Sequence, residues 1–163
     1  MTGRTHLVVG LVAGLVVGHW AGVQGIELAA CVAAGVIGGL LPDIDHPKSI
    51  ISGWVPGSGL LRLAISHRGP THTLLFIVAI LAGLMVVSLQ QLILISFTAG
   101  MVLHLVCDMV TPQGVRLFMP VSYGAWRLLP GGILAMPGVA WAIETITGAA
   151  AMMLASVILT GVL

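Results

Sequence analysis

The chain has 163 residues, of which 58% are apolar and only 7% are charged, and its mean hydropathy is +1.15. Because a soluble domain carries roughly 25% charged residues, this composition excludes an ordinary soluble fold and indicates an integral membrane protein. The net charge of +1 and the lack of a basic patch with interleaved aromatic residues give no sign of a nucleic-acid partner.

Five apolar segments are candidates for membrane-spanning helices. About 20 apolar residues in a helix cross the ~30 Å hydrocarbon core, and a helix satisfies its own backbone hydrogen bonds in lipid. We therefore predict a single all-α domain over residues 1–163, a bundle of about five transmembrane helices with short re-entrant or interfacial loops. The predicted helices lie near residues 6–23, 26–42, 71–89, 92–110 and 139–162.

The first segment follows Arg4, a pattern that also suits a signal peptide. No convincing cleavage site follows, since His19, Trp20 and Gln24 occupy that zone, and we expect the segment to be retained as a helix. Glycines spaced four apart in the first two segments predict helices that approach each other closely. These glycines are Gly10, Gly14, Gly18 and Gly22, followed by Gly35 and Gly39.

The basic residues predict the orientation in the membrane. All six lie on one side of the predicted bundle, and the opposite connections, near residues 23–27 and 88–91, contain none. The positive-inside rule therefore predicts a multi-pass protein of a bacterial or archaeal inner membrane, with this side and the N-terminus in the cytoplasm. The six are Arg4, Lys48, Arg62, Arg68, Arg116 and Arg127.

Nearly every residue that could do chemistry lies at this same end of an apolar segment. Since consecutive helices cross a membrane in opposite directions, residues that open odd segments and close even ones meet at one face. We therefore expect a site at the cytoplasmic mouth of the bundle. The residues are His6, Asp43, Asp45, His46, His67, His72, His104, Asp108 and Glu144.

His104 and Asp108 lie four apart on a predicted helix and so project from one face. This spacing suits two ligands of one metal ion, or one ligand and a carboxylate that orients it. In a soluble helix a simple hydrogen-bonded pair would be the default. Within a membrane a carboxylate costs about 2.5–3.5 kcal/mol, which favours a metal role.

The other polar residues have competing interpretations. Asp43 and Asp45 could face one side of an extended segment or form a solvated acidic turn. Arg68 could clamp a phosphate or carboxylate, or extend to lipid headgroups. Glu144 could bind metal, act as general base or reach the interface. A single histidine near a chain end, such as His6, is often inert, although its place at the shared face favours a ligand role.

The two loops on this side differ in pattern. Residues 43–70 interleave apolar residues with glycines, which predicts a stretch lying on the bilayer surface. In residues 111–138, four prolines break any helix. There the runs 115–121 and 125–129 could form a short hairpin.

The two helix hairpins also share a spacing. Thr5-His6 opens the first and Asp43 closes it, while Thr71-His72 opens the second and Asp108 closes it. Each hairpin could be one copy of a repeat related by an axis along the membrane normal, although these short matches could be coincidence.

Taken together, the motifs resemble those of the YdjM-like, LexA-regulated inner-membrane proteins, which are described as membrane-bound metal-dependent hydrolases. The matching strings are GLLPDIDHPKS at 39–49, HRGPTHT at 67–73 and HLVCDMVTPQG at 104–114. Thr5-His6 and Glu144 also occupy positions where members tend to carry His and Glu. The resemblance implies metal ligation by His6, Asp43, Asp45, His46, His67, His72, His104 and Asp108.

We therefore predict a membrane-embedded hydrolase that uses metal-activated water on a phosphoester or other ester of a lipid at the cytoplasmic leaflet. Mixed His and carboxylate ligands favour one or two zinc or manganese ions, and such an ion lowers the pKa of bound water to about 7. The alternatives are a transporter of metal ions or protons and a non-catalytic partner-binding protein. The predicted catalytic residues are Glu144, Arg68 and Asp45, and the predicted substrate-binding residues are Arg68, Arg116 and Arg127.

Overall fold

The computed structural model describes residues 2–46, 49–55, 69–130, 136 and 138–160. Within these residues the protein is all-helical, as predicted, with five α-helices and three short 3₁₀ turns. The α-helices are α1 (Gly3–Trp20), α2 (Gly25–Leu40), α3 (Leu74–Val86), α4 (Gln91–Met109) and α5 (Val139–Thr160). The 3₁₀ turns are Leu41–Asp45, Ile51–Gly53 and Pro70–His72.

Three helical stretches are long and apolar enough to cross a membrane: Gly25–Asp45, Gln91–Met109 and Trp141–Ile158. The apolar helix α3 is shorter, with 13 residues. It begins at Leu74, three residues later than predicted, because residues 70–72 form a 3₁₀ turn. Thr73 then caps α3, its hydroxyl accepting a hydrogen bond of 3.0 Å from the backbone N–H of Phe76.

Helices α1, α2 and α4 form the packed centre of the bundle, and glycines set their separation. A Cβ added at Gly10 would lie 2.5 Å from the carbonyl oxygen of Gly35, and one added at Gly39 would lie 2.7 Å from that of His6. Gly100 in α4 is likewise pressed against the backbone of α2. The close approach predicted from the four-residue glycine spacing is therefore present, and it extends to α4.

The outer helices pack on this centre through apolar side chains. Ala155 and Ile158 of α5 form a buried cluster with Val12 and Leu15 of α1. On the other side, Ile77 is the residue of α3 that is buried, and it packs with Met101, Leu105 and Val115.

The loop after α4 makes one antiparallel bridge instead of the longer hairpin that was anticipated. Val115 and Trp126 exchange two backbone hydrogen bonds, of 3.0 and 2.8 Å, and the described residues on either side add no further ladder. The loop also reaches α3, since the carbonyl oxygen of Leu117 accepts a hydrogen bond of 3.0 Å from the N–H of Leu74. These contacts fold the loop back over the end of the bundle that holds the turns.

The described part of residues 43–70 contains both buried and exposed side chains. Ile51 and Ser52, in the second 3₁₀ turn, are buried, whereas Trp54 is exposed. The remainder of the predicted interfacial stretch, with Arg62, His67 and Arg68, falls outside the described residues.

Candidate metal centre

Five chemically active side chains from four segments meet at one end of the bundle. Each belongs to the set predicted from sequence, and each is at most 8% exposed. One comes from the first turns of α1, one from the 3₁₀ turn after α2, one from the turn before α3 and two from the last turns of α4. They are His6, Asp43, His72, His104 and Asp108.

His104 lies at the middle of this cluster. Its Nδ1 is 2.6 Å from the carbonyl oxygen of Gly39, which can only accept, so Nδ1 carries the proton and Nε2 holds a lone pair. The ring of His6 stacks on that of His104, with centroids 3.7 Å apart and planes inclined by 20°. The close packing of α2 on α4 brings the Gly39 carbonyl within reach.

His72 faces His104 directly. The two Nε2 atoms are 3.3 Å apart, and neither ring has any appreciable exposure. On its other side, Nδ1 of His72 lies 3.0 Å from the hydroxyl of Thr71, which also donates to Asp45 Oδ2 at 3.1 Å. His72 is therefore held between a polar chain and the centre of the cluster.

Two buried carboxylates flank the facing imidazoles. Oδ1 of Asp43 is 3.5 Å from Nε2 of His72 and 3.8 Å from Nε2 of His104. Oδ2 of Asp108 lies at the same two distances from these nitrogens. The second oxygen of Asp108 is 3.4 Å from Nε2 of His6, so this carboxylate joins all three histidines.

The donor set suits a divalent cation. Two groups have ligand atoms within 4.8 Å of one another, His6 with Asp43 and His104, and His72 with His104 and Asp108. In addition, Nδ1 of His6 is buried and has no hydrogen-bond partner among the described residues, so this nitrogen is available to a metal ion. Imidazole nitrogens and carboxylate oxygens are both common ligands of divalent metal ions.

Other predicted site residues lie elsewhere. Asp45 and His46 belong to neither group, and Asp45 instead accepts from Thr71. Oε1 of Glu144 accepts hydrogen bonds of 2.7 Å from the Thr2 N–H and the Thr5 hydroxyl, at the start of α1. His67 and Arg68 fall outside the described residues.

Two predicted substrate-binding residues, Arg116 and Arg127, are exposed on the loop after α4. The guanidinium of Arg127 donates a hydrogen bond of 2.7 Å from Nε to the carbonyl oxygen of Pro112. Both side chains therefore lie at the loop surface, outside the buried cluster.

Sequence reasoning did not find two groups that contact histidines of the cluster: the Gly39 carbonyl and the Thr71 hydroxyl. A backbone carbonyl leaves no trace in sequence, so Gly39 could not have been identified. Thr71 did leave a signal, because the Thr71-His72 dipeptide repeats the Thr5-His6 dipeptide.

Comparison with known proteins identifies the relatives of this chain. The family model described as YdjM inner membrane protein matches residues 1–163. The chain belongs to the YdjM family. This membership confirms the resemblance inferred from the motifs, and no solved structure matches the chain.

Two of the YdjM relatives are named inner membrane protein YdjM, one from Escherichia coli (strain K12) and one from Shigella flexneri. Each is 40% identical over 104 residues, which cover 59% of this chain and 50% of the relative. The chain thus spans about half the length of these proteins. YvsG of Bacillus subtilis (strain 168) is 31% identical over 121 residues, or 74% of each chain.

Proposed function

We propose that this YdjM-family membrane protein is a metal-dependent hydrolase acting on a phosphoester or other ester of a lipid at the cytoplasmic leaflet. The observation that carries the proposal is the 3.3 Å separation of the His72 and His104 Nε2 atoms, between the buried carboxylates of Asp43 and Asp108. Neither family membership nor the relatives' names state an activity, so the proposal depends on this geometry.

Two imidazole nitrogens facing each other need a cation or proton between them. The Nε2 of His104 bears a lone pair because its Nδ1 donates to Gly39. Zinc binds imidazole nitrogen at about 2.0–2.1 Å, so two ligand atoms on a tetrahedral ion lie about 3.3–3.4 Å apart. The observed 3.3 Å matches that spacing.

Within the cluster, His72, His104, Asp43 and Asp108 would hold the ion, and His6 would complete the site. Because Nδ1 of His104 is engaged by Gly39, its Nε2 is the atom available to both candidate groups. This shared ligand favours a single zinc or manganese ion in contact with His104.

A bound divalent ion would supply the nucleophile by lowering the pKa of water to about 7. The chain's own residues would do the rest: Asp43 and Asp108 balance the positive charge, and burial keeps bulk water from the imidazoles. Arg116 and Arg127, exposed on the loop at this end, could attract an anionic headgroup, as could Arg68.

The location of the cluster supports the proposal of a lipid substrate. The residues that close spanning segments α2 and α4 line it, so the cluster lies at the end of the apolar bundle, where headgroups lie. The bias of basic residues toward this end supports a cytoplasmic orientation in the inner membrane, with the N-terminus on the same side.

Metal analysis of purified protein tests the proposal. We expect wild-type protein to bind zinc or manganese and to hydrolyse lipid phosphoesters or acyl esters in a substrate screen. His104→Ala and Asp108→Ala should each remove metal and activity, because each deletes a buried ligand. His19→Ala is the matched control, since His19 is exposed near the opposite end of α1. Full metal occupancy in the H104A/D108A double variant would contradict the proposal.

A further inference from the structure

We infer that Asp45 and Thr71 are positioning residues that fix the tautomer and orientation of His72, and that Asp45 acts through Thr71 instead of binding the metal itself. The inference deepens the proposed function, since it concerns how one ligand of that same site is prepared. It assigns to Asp45 a different role from the ligand and catalytic roles predicted from sequence.

The polar chain is short and buried throughout. The Thr71 hydroxyl lies 3.1 Å from Asp45 Oδ2 and 3.0 Å from His72 Nδ1. Asp45 is 3% exposed, Thr71 is 4% exposed and His72 is fully buried. Hydrogen bonds in such a dry setting are stronger than those in water, and an unsatisfied partner is costly.

Proton counting gives the direction of the chain. An ionised carboxylate can only accept, so the single hydroxyl proton of Thr71 goes to Asp45. The Thr71 oxygen can then only accept from His72, which requires the proton of the ring to be on Nδ1. This leaves the lone pair on Nε2, the atom that faces His104 and both carboxylates.

The local backbone holds this chain in register. Thr71 and His72 belong to the 3₁₀ turn Pro70–His72. The hydroxyl of Thr73 donates a hydrogen bond of 2.8 Å to the carbonyl oxygen of Pro70. Thr73 also caps α3, and the next residue, Leu74, donates to the carbonyl oxygen of Leu117. His72 is therefore placed by its turn at least as much as by α3.

The two facing imidazoles reach the same state by different means. The backbone carbonyl of Gly39 fixes the tautomer of His104. The tautomer of His72 is fixed by hydrogen bonds that run from Asp45 through the Thr71 hydroxyl. The second arrangement can be altered by mutation without touching a predicted ligand atom of His72. A metal-binding histidine commonly donates its other ring N–H to a hydrogen-bond acceptor that orients the ring.

A double-mutant cycle tests the inference. Asp45→Ala, Thr71→Val and their combination are compared for zinc affinity by chelator competition, and for the His72 tautomer by NMR of isotope-labelled histidine in metal-free protein. Each single change should weaken zinc binding about 10–100-fold. The double variant should resemble the single ones, because the Thr71 hydroxyl is the group that contacts both Asp45 and His72. Thr71→Ser, which keeps the hydroxyl, should show the zinc affinity and the His72 tautomer of the wild type.

In the metal-free wild type, Nδ1 of His72 should carry a proton, while a proton takes the place of the cation between the two Nε2 atoms. Asp45→Ala should leave Nδ1 without its proton, because the freed Thr71 hydroxyl then donates to that nitrogen. An unchanged tautomer in both single variants overturns the inference. So does an Asp45→Ala loss of zinc that is equally large in the Thr71→Val background, since that marks Asp45 as a direct ligand. If the wild-type protein binds no metal, the proposed function is contradicted instead. The tautomer measurement in metal-free protein still decides the role of Thr71.

Discussion

The first helix pair, α1 with α2, is packed much more closely than the second, α3 with α4, although both begin with a Thr-His dipeptide and end near an Asp. In the first pair, backbone lies against backbone at Gly10 and Gly14. In the second, Ile77 is the one buried side chain of α3, and a Cβ added to Gly83 would meet no atom of the described residues within 4 Å. A cavity of about 450 Å³ lies between α3 and α4, lined by residues such as Leu81 and Leu94.

The polar ends of the two pairs nevertheless meet in one cluster. Each histidine contacts the aspartate of the other pair, His6 with Asp108 at 3.4 Å and His72 with Asp43 at 3.5 Å. This exchange is the contact that a central axis along the membrane normal would produce, while the unequal packing of the helices differs from a simple duplicate. The repeat stays a prediction that superposition of residues 5–47 on 71–112 can test.

The geometry of the cluster depends on where the helical segments end and less on how tightly each helix pair packs. His72 is set by its 3₁₀ turn and the Thr73 cap, so α3 can remain loosely attached. By contrast, His104 needs the Gly39 carbonyl, which only the close approach of α2 and α4 provides.

The largest effect on stability is expected from Gly14→Ala, which disrupts the close packing of α1 on α2 at a site far from the cluster. A Cβ at Gly14 would lie 2.5 Å from the Cα of Val32 and 2.7 Å from the carbonyl carbon of Cys31, so α1 and α2 must move apart. Overpacking of this kind costs about 1–3 kcal/mol, and backbone overlap favours the upper end. Thermal unfolding in detergent should show a clear drop in the midpoint. An unchanged midpoint would mean that the glycine contact does not stabilise the pair.

A smaller effect is expected from Glu144→Ala, which loosens α5 from the start of α1. Glu144 accepts from Thr2 and Thr5, directly beside His6, so its loss should lower stability by about 1 kcal/mol while bound metal is retained. Metal content and thermal unfolding are measured together, with Glu144→Gln as the control that keeps an acceptor oxygen. If Glu144→Gln abolished hydrolysis at unchanged stability and metal content, Glu144 would be the general base predicted from sequence.

The helices themselves were well predicted from sequence, because apolar length dominates in a membrane protein and the glycine spacing is a local signal. The third helix was predicted too long: the turn at Pro70–His72 is decided by the cap at Thr73 and the contact with Leu117, which is remote in sequence. The hairpin predicted from the runs 115–121 and 125–129 is reduced to one bridge, and the described residues hold no other strand with which these runs could pair.

The sequence predicted which residues form the candidate cluster better than it predicted the role of each residue. Helix ends brought five of the predicted side chains together, as the crossing directions required. Sequence could not separate Asp43, which lies against the imidazoles, from Asp45, two residues later, which turns toward Thr71. That distinction depends on the 3₁₀ geometry of residues 41–45, in which successive side chains no longer alternate as they would in the extended segment first considered.

The smallest effect is expected from Gly83→Ala, the same substitution as Gly14→Ala placed in the loosely packed pair. Gly83 lies inside α3, and an added Cβ would meet no atom of the described residues within 4 Å, so no described helix has to move. Replacing glycine by alanine within a helix reduces the backbone entropy lost on folding, a gain of roughly 0.5–1 kcal/mol. The unfolding midpoint should therefore stay unchanged or rise slightly, with metal content unaffected. A drop as large as that of Gly14→Ala would mean that α3 packs through Gly83 against a partner, such as a second copy of the chain, and that the second pair is closely packed only in that assembly.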